Sequence, residues 1–256
     1  MAFDIFLCCA KKDYIKLPYT LKAIQDNVPG YENIYICTPT KIDLGVQDGT
    51  IQYYLDKYIL DVNPLLWKHR PSWVYQQFLK LFQKVSKNDF YVTIDTDNIV
   101  NRTLPFFTEE NKPIWYSSVP HNHVQYFSFQ EKMFGFGRVF EHSFVADMNF
   151  FSKYMVNEML ESHGYTVESF IKKSQEIINS TCYPAEPEIY GGYMHKFHPG
   201  FYAFKELKTV IRGKPQENPL DTVYTNEEIE GIINSSKSLD YDVITLHSWC
   251  VNNSIW

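Results

Sequence analysis

Cysteine is scarce in this chain of 256 residues: Cys8, Cys9, Cys37, Cys182 and Cys250 are odd in number and show no C-x-x-C spacing. A disulfide scaffold and a cysteine-rich metal knot are excluded. The cysteines fall mostly in apolar runs and read as reduced packing residues of a cytosol-like compartment. No run of five basic residues occurs, and Lys+Arg 24 against Asp+Glu 30 leaves a net charge of −6. Without a basic footprint for a phosphate backbone, nucleic acid is not expected as a partner. Nowhere do apolar residues run long enough to cross a membrane. The opening MAFDIFLCCAKKDY has an apolar stretch of about six residues interrupted by Asp4, too short for a leader core or a span. Repeats, low-complexity tracts and Gly/Ser/Pro-rich linkers are missing too, so a single unit covering 1–256 is expected.

What is present is core-forming material. Hydrophobic residues make up 45% and charged residues 21%, a globular balance. Aromatics reach 17%; most are expected in the core, with a few left to stack on a sugar or base. Short apolar runs alternate with segments of helical period, the mark of an α/β fold. Strands are expected at 3–8, 33–38, 51–55 (an edge strand), 89–94, 114–119, 143–146, 209–211 and 243–246. Helices are expected at 16–27, 72–85, 152–161, 167–178, 186–196 and 226–233. The alternation weakens near residue 100, which divides a lobe of 1–100 from a lobe of 101–256.

The strongest chemical signal is Phe90-Tyr91-Val92-Thr93-Ile94-Asp95-Thr96-Asp97-Asn98, an apolar strand that delivers two carboxylates at its carboxyl end. Ligands of open α/β sheets bind at that end. Two carboxylates held together repel, and a hard divalent ion completed by substrate phosphate oxygens relieves the repulsion. An EF-hand calcium loop is excluded, because Ile99 and Val100 stand where it needs an oxygen ligand and a glycine. A phosphatase with Asp95 as nucleophile and Asp97 as acid, a calcium-dependent glycan-binding module without turnover, and a solvated strand end all remain open at this level.

The order of blocks narrows the choice. Arg70-Pro71-Ser72-Trp73-Val74-Tyr75-Gln76-Gln77-Phe78-Leu79-Lys80-Leu81, then the D-T-D strand, then Ser143-Phe144-Val145-Ala146-Asp147-Met148, then Ala185-Glu186-Pro187-Glu188-Ile189-Tyr190-Gly191-Gly192-Tyr193 resembles a poorly characterised family of bacterial and large-DNA-virus glycosyltransferases. The D-T-D itself resembles the DxD motif of metal-dependent GT-A enzymes. The likeness spans about Phe3 to Tyr193. Val74 and Pro187 depart from it, standing where a tyrosine and an aromatic residue are common, so acceptor details do not carry over.

This resemblance implies a GT-A fold, a Rossmann-like α/β arrangement with a mixed, mainly parallel central sheet flanked by helices. It implies transfer of a sugar from a nucleotide diphosphate sugar, with UDP the expected nucleotide, to a hydroxyl of a glycan or glycoconjugate with Mn²⁺ or Mg²⁺. Residues 1–100 would take the nucleotide and 101–256 the acceptor, in the cytoplasm, or the host cytoplasm for a viral gene. Asp95 and Asp97 would hold metal and ribose, and His247, near the carboxyl terminus, would complete the metal shell.

Other candidates follow from position. Gln76 and Lys80 share a helix face at i, i+4, so with Gln77 they are placed to offset diphosphate charge and read hydroxyls; an ordinary polar outer face is the alternative. Asp147, Glu186 and Glu188 are candidates to deprotonate an acceptor hydroxyl, which an inverting transfer needs. Ala10, Lys11, Tyr14 and Thr38 follow the first two strands, where base and ribose would lie. The histidines at 121, 123, 195 and 198 lack cysteine at ligand spacing, so zinc is not expected. Gly135-Phe136-Gly137 lacks the third glycine of a dinucleotide loop and reads as a flap.

Overall fold

Strand β1 (Phe3–Cys8) is buried along its whole length, as a strand covered on both sheet faces must be. Its one charge, Asp4, accepts hydrogen bonds from Asn33 Nδ2 at 2.9 Å and from the Asn88 backbone N–H at 2.8 Å, which makes its burial tolerable. The chain is described here by a computed structural model covering residues 1–41, 49–118, 123–212 and 224–246. After β1 come α1 (Leu17–Asn27), β2 (Tyr31–Thr38), β3 (Ile51–Leu55), α2 (Asp56–Ile59), α3 (Pro71–Phe82), β4 (Phe90–Asp95) and β5 (Asn98–Val100). The remainder runs β6 (Ile114–Ser117), α4 (Val124–Phe134), β7 (Met148–Ser152), α5 (Lys153–Ser162), α6 (Val167–Ile177), α7 (Glu186–Phe197), β8 (Ala203–Glu206), β9 (Thr209–Ile211), α8 (Asn226–Ser236) and β10 (Val243–Thr245).

The main sheet has the order β3-β2-β1-β4-β7. Its first four strands are parallel and β7 is antiparallel to β4. This is the expected α/β architecture, a mixed, mainly parallel sheet flanked by helices, with β3 at the edge. A second sheet, β5-β10-β9, begins where β4 ends, so the D-T-D-N segment forms the bend between two sheets. Register sets Cys8 opposite both Cys37 and Asp95. The carboxyl ends of β1, β2 and β4 therefore open onto one edge.

Most aromatics pack the core, as expected. Phe3 lies 5.5 Å from Phe106 and 5.8 Å from Phe150, and Trp115 stacks on Tyr190 at 5.8 Å. The described cysteines are buried and free, and Cys250 lies outside the described residues. Among those residues, no helix is long and apolar enough to cross a membrane.

Three expectations need correction. Helix α3 stops at Phe82 rather than Val85, because the Gln83 side chain accepts the backbone N–H groups of Val85 and Ser86, both at 3.1 Å, in place of a further turn. The strand expected at 143–146 shrinks to one bridge at Ser143, because that segment's donors serve a carboxylate described below. Gly135 belongs to no flap: at φ 72° it caps α4, a left-handed position that glycine fills without strain. Helix α4 itself escaped the pattern reading, since its aromatics obscure the period and His123 provides no side-chain cap.

Candidate active site

Strand β4 buries Tyr91, Val92, Thr93 and Ile94 and brings out Asp95, whose side chain is 41% exposed. Beyond it the chain turns. Thr20 Oγ1 donates to the Thr96 carbonyl at 2.7 Å, and the Leu246 N–H donates to the Asp97 carbonyl at 2.7 Å. Pinned from α1 and from the end of β10, the turn holds both carboxylates at the sheet's carboxyl edge.

Behind Asp95 stands α3. Trp73, Gln76, Gln77 and Lys80 follow the i, i+3, i+4, i+7 spacing of one helical stripe. Lys80 Nζ lies 2.7 Å from Asp95 Oδ1 and 3.2 Å from Glu186 Oε1, while Gln76 Nε2 donates to the same Asp95 oxygen at 3.1 Å. Gln77 Oε1 accepts the backbone N–H of Glu186 at 3.4 Å. The Lys80 and Glu186 side chains are only 5% and 2% exposed, so this is no solvated outer face. A buried ammonium is costly unless paired. Burial works against the charge on Lys80, but Asp95 and then Glu186 outweigh it and hold the ammonium above the ordinary lysine range. Burial also pushes the Glu186 carboxyl up to about 7, against the pull of Lys80 and with Asp95 adding to the rise.

Glu188 lies elsewhere. Its Oε1 accepts Ser143 Oγ at 2.7 Å and the Phe144 N–H at 3.0 Å, and Ser143 Oγ in turn accepts the Val145 N–H at 3.1 Å. Burial raises its carboxyl, and these donors oppose the rise. Glu188 therefore organises the 143–145 loop, and the structure does not bring it to Asp95. Asp147, expected to follow a strand, instead immediately precedes β7. Its Oδ2 accepts Thr209 Oγ1 at 2.6 Å, and its carbonyl accepts Asn98 Nδ2 at 2.9 Å, which ties its backbone to the acidic turn.

On the other flank, Ala10 and Lys11 are exposed at the end of β1. The Tyr14 hydroxyl lies 2.9 Å from Thr40 Oγ1, and Thr38 Oγ1 donates to the Thr40 carbonyl at 2.8 Å. Tyr14 and Thr38 thus meet at Thr40.

The sequence reading missed Lys16. Fully buried, its Nζ lies 2.8 Å from Asp13 Oδ1 and donates to the Leu246 carbonyl at 2.8 Å. Burial raises the Asp13 carboxyl, Lys16 opposes this, and Asp97 adds to it, so Asp13 lies within electrostatic reach of the acidic turn. Apart from Asp13 three residues earlier, no pattern in the sequence marks Lys16. His247 and His121 lie outside the described residues. Among the described residues, no group of three or more His, Cys, Asp or Glu could hold a metal ion.

No family model and no curated protein matches the chain. Two solved structures of the galactosyltransferase LgtC are similar to it, one in complex with donor and acceptor sugar analogues and one of an active-site mutant. Each aligns over 95% of this chain and 86% of its own at 10% identity, with a TM-score of 0.47.

Proposed function

We propose that this chain is a metal-dependent glycosyltransferase of GT-A type. It moves a sugar from a nucleotide diphosphate sugar, UDP-linked in the first instance, to a hydroxyl of a glycan or glycoconjugate. One observation carries the reading: Asp95 and Asp97 stand at the open edge of a mainly parallel sheet, and the Asp95 oxygen that is bonded, Oδ1, is backed by the buried Lys80. Asp95 Oδ2 accepts no hydrogen bond from any described residue.

Two carboxylates at an exposed edge fit Mn²⁺ or Mg²⁺, hard ions that take few protein oxygens and complete their shell from phosphate and water. Asp95 and Asp97 would hold the ion, with His247 as third ligand. When bound, the cation offsets the charge that gathers on the departing diphosphate.

The protein's own groups do the rest. Lys80 pairs with Asp95 and fixes its rotamer. Gln76 beside it presents its amide toward the donor sugar, and the buried Gln77, whose amide oxygen accepts the Glu186 N–H, positions that carboxylate. Ala10, Lys11, Tyr14 and Thr38 border the place for base and ribose, within the half of the chain assigned to the nucleotide, residues 1–100; residues 101–256 take the acceptor. Glu186, with its carboxyl near neutrality, is suited to accept the proton of an attacking hydroxyl. Asp147 is the other candidate base, and Glu188 shapes the loop between them.

The test is thermal stability with UDP, with Mn²⁺ and with both, for the parent chain and Asp97→Asn. At a hundredfold excess over the dissociation constant a ligand adds about 2.7 kcal/mol, roughly 5–10 °C for a domain of this size. The expected shift needs both ligands and vanishes in Asp97→Asn. A shift with Ca²⁺ alone and none with nucleotide would replace this reading with a glycan-binding module.

A further inference from the structure

At the start of α3 the backbone does something costly. Arg70 adopts φ 46° and ψ 50°, a left-handed conformation that a non-glycine residue holds at a cost of about 1 kcal/mol or more. Its guanidinium lies 4.3 Å from the centroid of Trp73 and 5.7 Å from that of Tyr183. Trp73 is stacked with Tyr126 at 6.1 Å and meets Tyr183 edge-on at 5.6 Å, and Tyr126 meets Tyr183 at 5.5 Å. All three rings are only partly buried, and Arg70 is exposed. Among the described residues, no carboxylate pairs with Arg70 and no group accepts a hydrogen bond from its side chain. A cluster that merely sealed a helix end would need neither the strained backbone nor an unpaired cation.

The cluster also adjoins the carboxylates. Trp73 heads the stripe that continues through Gln76, Gln77 and Lys80, and Tyr183 precedes Glu186 by three residues. At about 1.5 Å of rise per residue, Arg70 is roughly 9 Å along the helix from Gln76, the span of one or two sugar rings. Stacked aromatics offer an apolar face to the C–H face of a pyranose, and a guanidinium pairs with carboxylates and phosphates through in-plane donors that stacking leaves open.

We propose that Arg70, Trp73, Tyr126 and Tyr183 form the acceptor platform, which stacks a pyranose ring and pairs Arg70 with an anionic group on the same glycan. The acceptor class is therefore an acidic glycan. Its contacts come from both halves of the chain, Arg70 and Trp73 before residue 100 and the two tyrosines after it. This rests on the glycosyltransferase reading, but its test has a separate readout.

Saturation-transfer NMR of the full chain with neutral, uronate-bearing, sialylated and sulfated oligosaccharides reads glycan binding directly, with no donor present. The expected result is binding of acidic over neutral glycans. That binding should weaken about tenfold in Arg70→Asn, which tolerates the left-handed backbone, and in Trp73→Ala. The thermal shift with UDP and Mn²⁺ stays as in the parent and reports that each variant is folded. No glycan binding, no preference for acidic glycans, or binding indifferent to both substitutions overturns the platform. If the nucleotide shift is missing while platform-dependent glycan binding persists, the platform stands and the transferase reading falls.

Discussion

Glu186 and Glu188 stand two residues apart on α7 and serve opposite neighbours: Glu186 Oε1 lies 3.2 Å from Lys80 Nζ, and Glu188 Oε1 accepts the Ser143 hydroxyl at 2.7 Å. Two residues of α-helix turn the side chain by roughly 200°, so the E-P-E spacing divides one buried carboxylate to the acidic edge and one to the loop beside it. Pro187 between them sits in the first turn, where its missing N–H costs nothing.

Stability should therefore depend on pH through Glu186. The carboxyl rises from 4.5 to about 7 on folding. Between those values the folded state holds more protons than the unfolded one, so stability falls as pH rises through the window, by on the order of 3 kcal/mol from this group. Urea unfolding across pH 4.5 to 7.5 is expected to show that decline, with Glu186→Gln flattening it to the residual slope left by the other raised carboxyls, Glu188, Asp13 and Asp56. In Lys80→Met the decline should steepen, because Glu186 then ionises without its cation. Equal slopes in parent and Glu186→Gln would mean that the carboxyl is not buried as described.

The sheet was legible because buried parallel strands are written as mostly apolar runs, and 3–8, broken only by Asp4, and 90–94, broken only by Thr93, carry that signal. The acidic turn was legible because two charges after such a run have few structural excuses. Lys16 and the partition of Glu186 from Glu188 were not, since both depend on what crosses from distant segments: Leu246 to Lys16, and Ser143 to Glu188. The strand expected at 143–146 failed for the same reason. Its β-forming residues meet a buried carboxylate that claims the Phe144 N–H and the Ser143 hydroxyl, and local propensity yields to that tertiary demand.

Gly191 tests how tightly α7 is pressed on that loop. A Cβ there would lie 2.4 Å from Phe144 Cγ and 2.8 Å from Phe144 Cβ, too near the root of the ring for a rotamer change to relieve. Gly191→Ala gains about 1 kcal/mol in helix propensity but incurs an overpacking cost of about 1–3 kcal/mol. A net loss of about 1 kcal/mol in urea unfolding is expected. At Gly192 the added Cβ meets the Gln130 amide, at 2.0 Å, and Gln130 is buried with its Nε2 donating to the Glu188 carbonyl at 3.0 Å, so Gly192→Ala must displace that hydrogen bond and should also lose stability. Stabilisation by Gly191→Ala would show that the loop is not held against the helix.

Lys16 makes the most consequential contact that the sequence did not announce. Its ammonium joins α1 to the Leu246 carbonyl and pairs with Asp13, while the Leu246 N–H holds the Asp97 carbonyl. One residue at the end of β10 thus links the acidic turn to the first helix. Lys16→Met keeps the length and apolar stem of the side chain but leaves Asp13 largely buried without its cation, a loss of about 3 kcal/mol by the measure of broken buried pairs. The loss should also be local. Hydrogen exchange is expected to speed up at Ile244 to Leu246 while the amides of β1 stay protected, because β1 is held by its own sheet neighbours. Uniform acceleration across the chain would instead make Lys16 a general stability residue. Unchanged exchange at Leu246 would remove it as the tie between the carboxyl-terminal strand and the Asp97 turn.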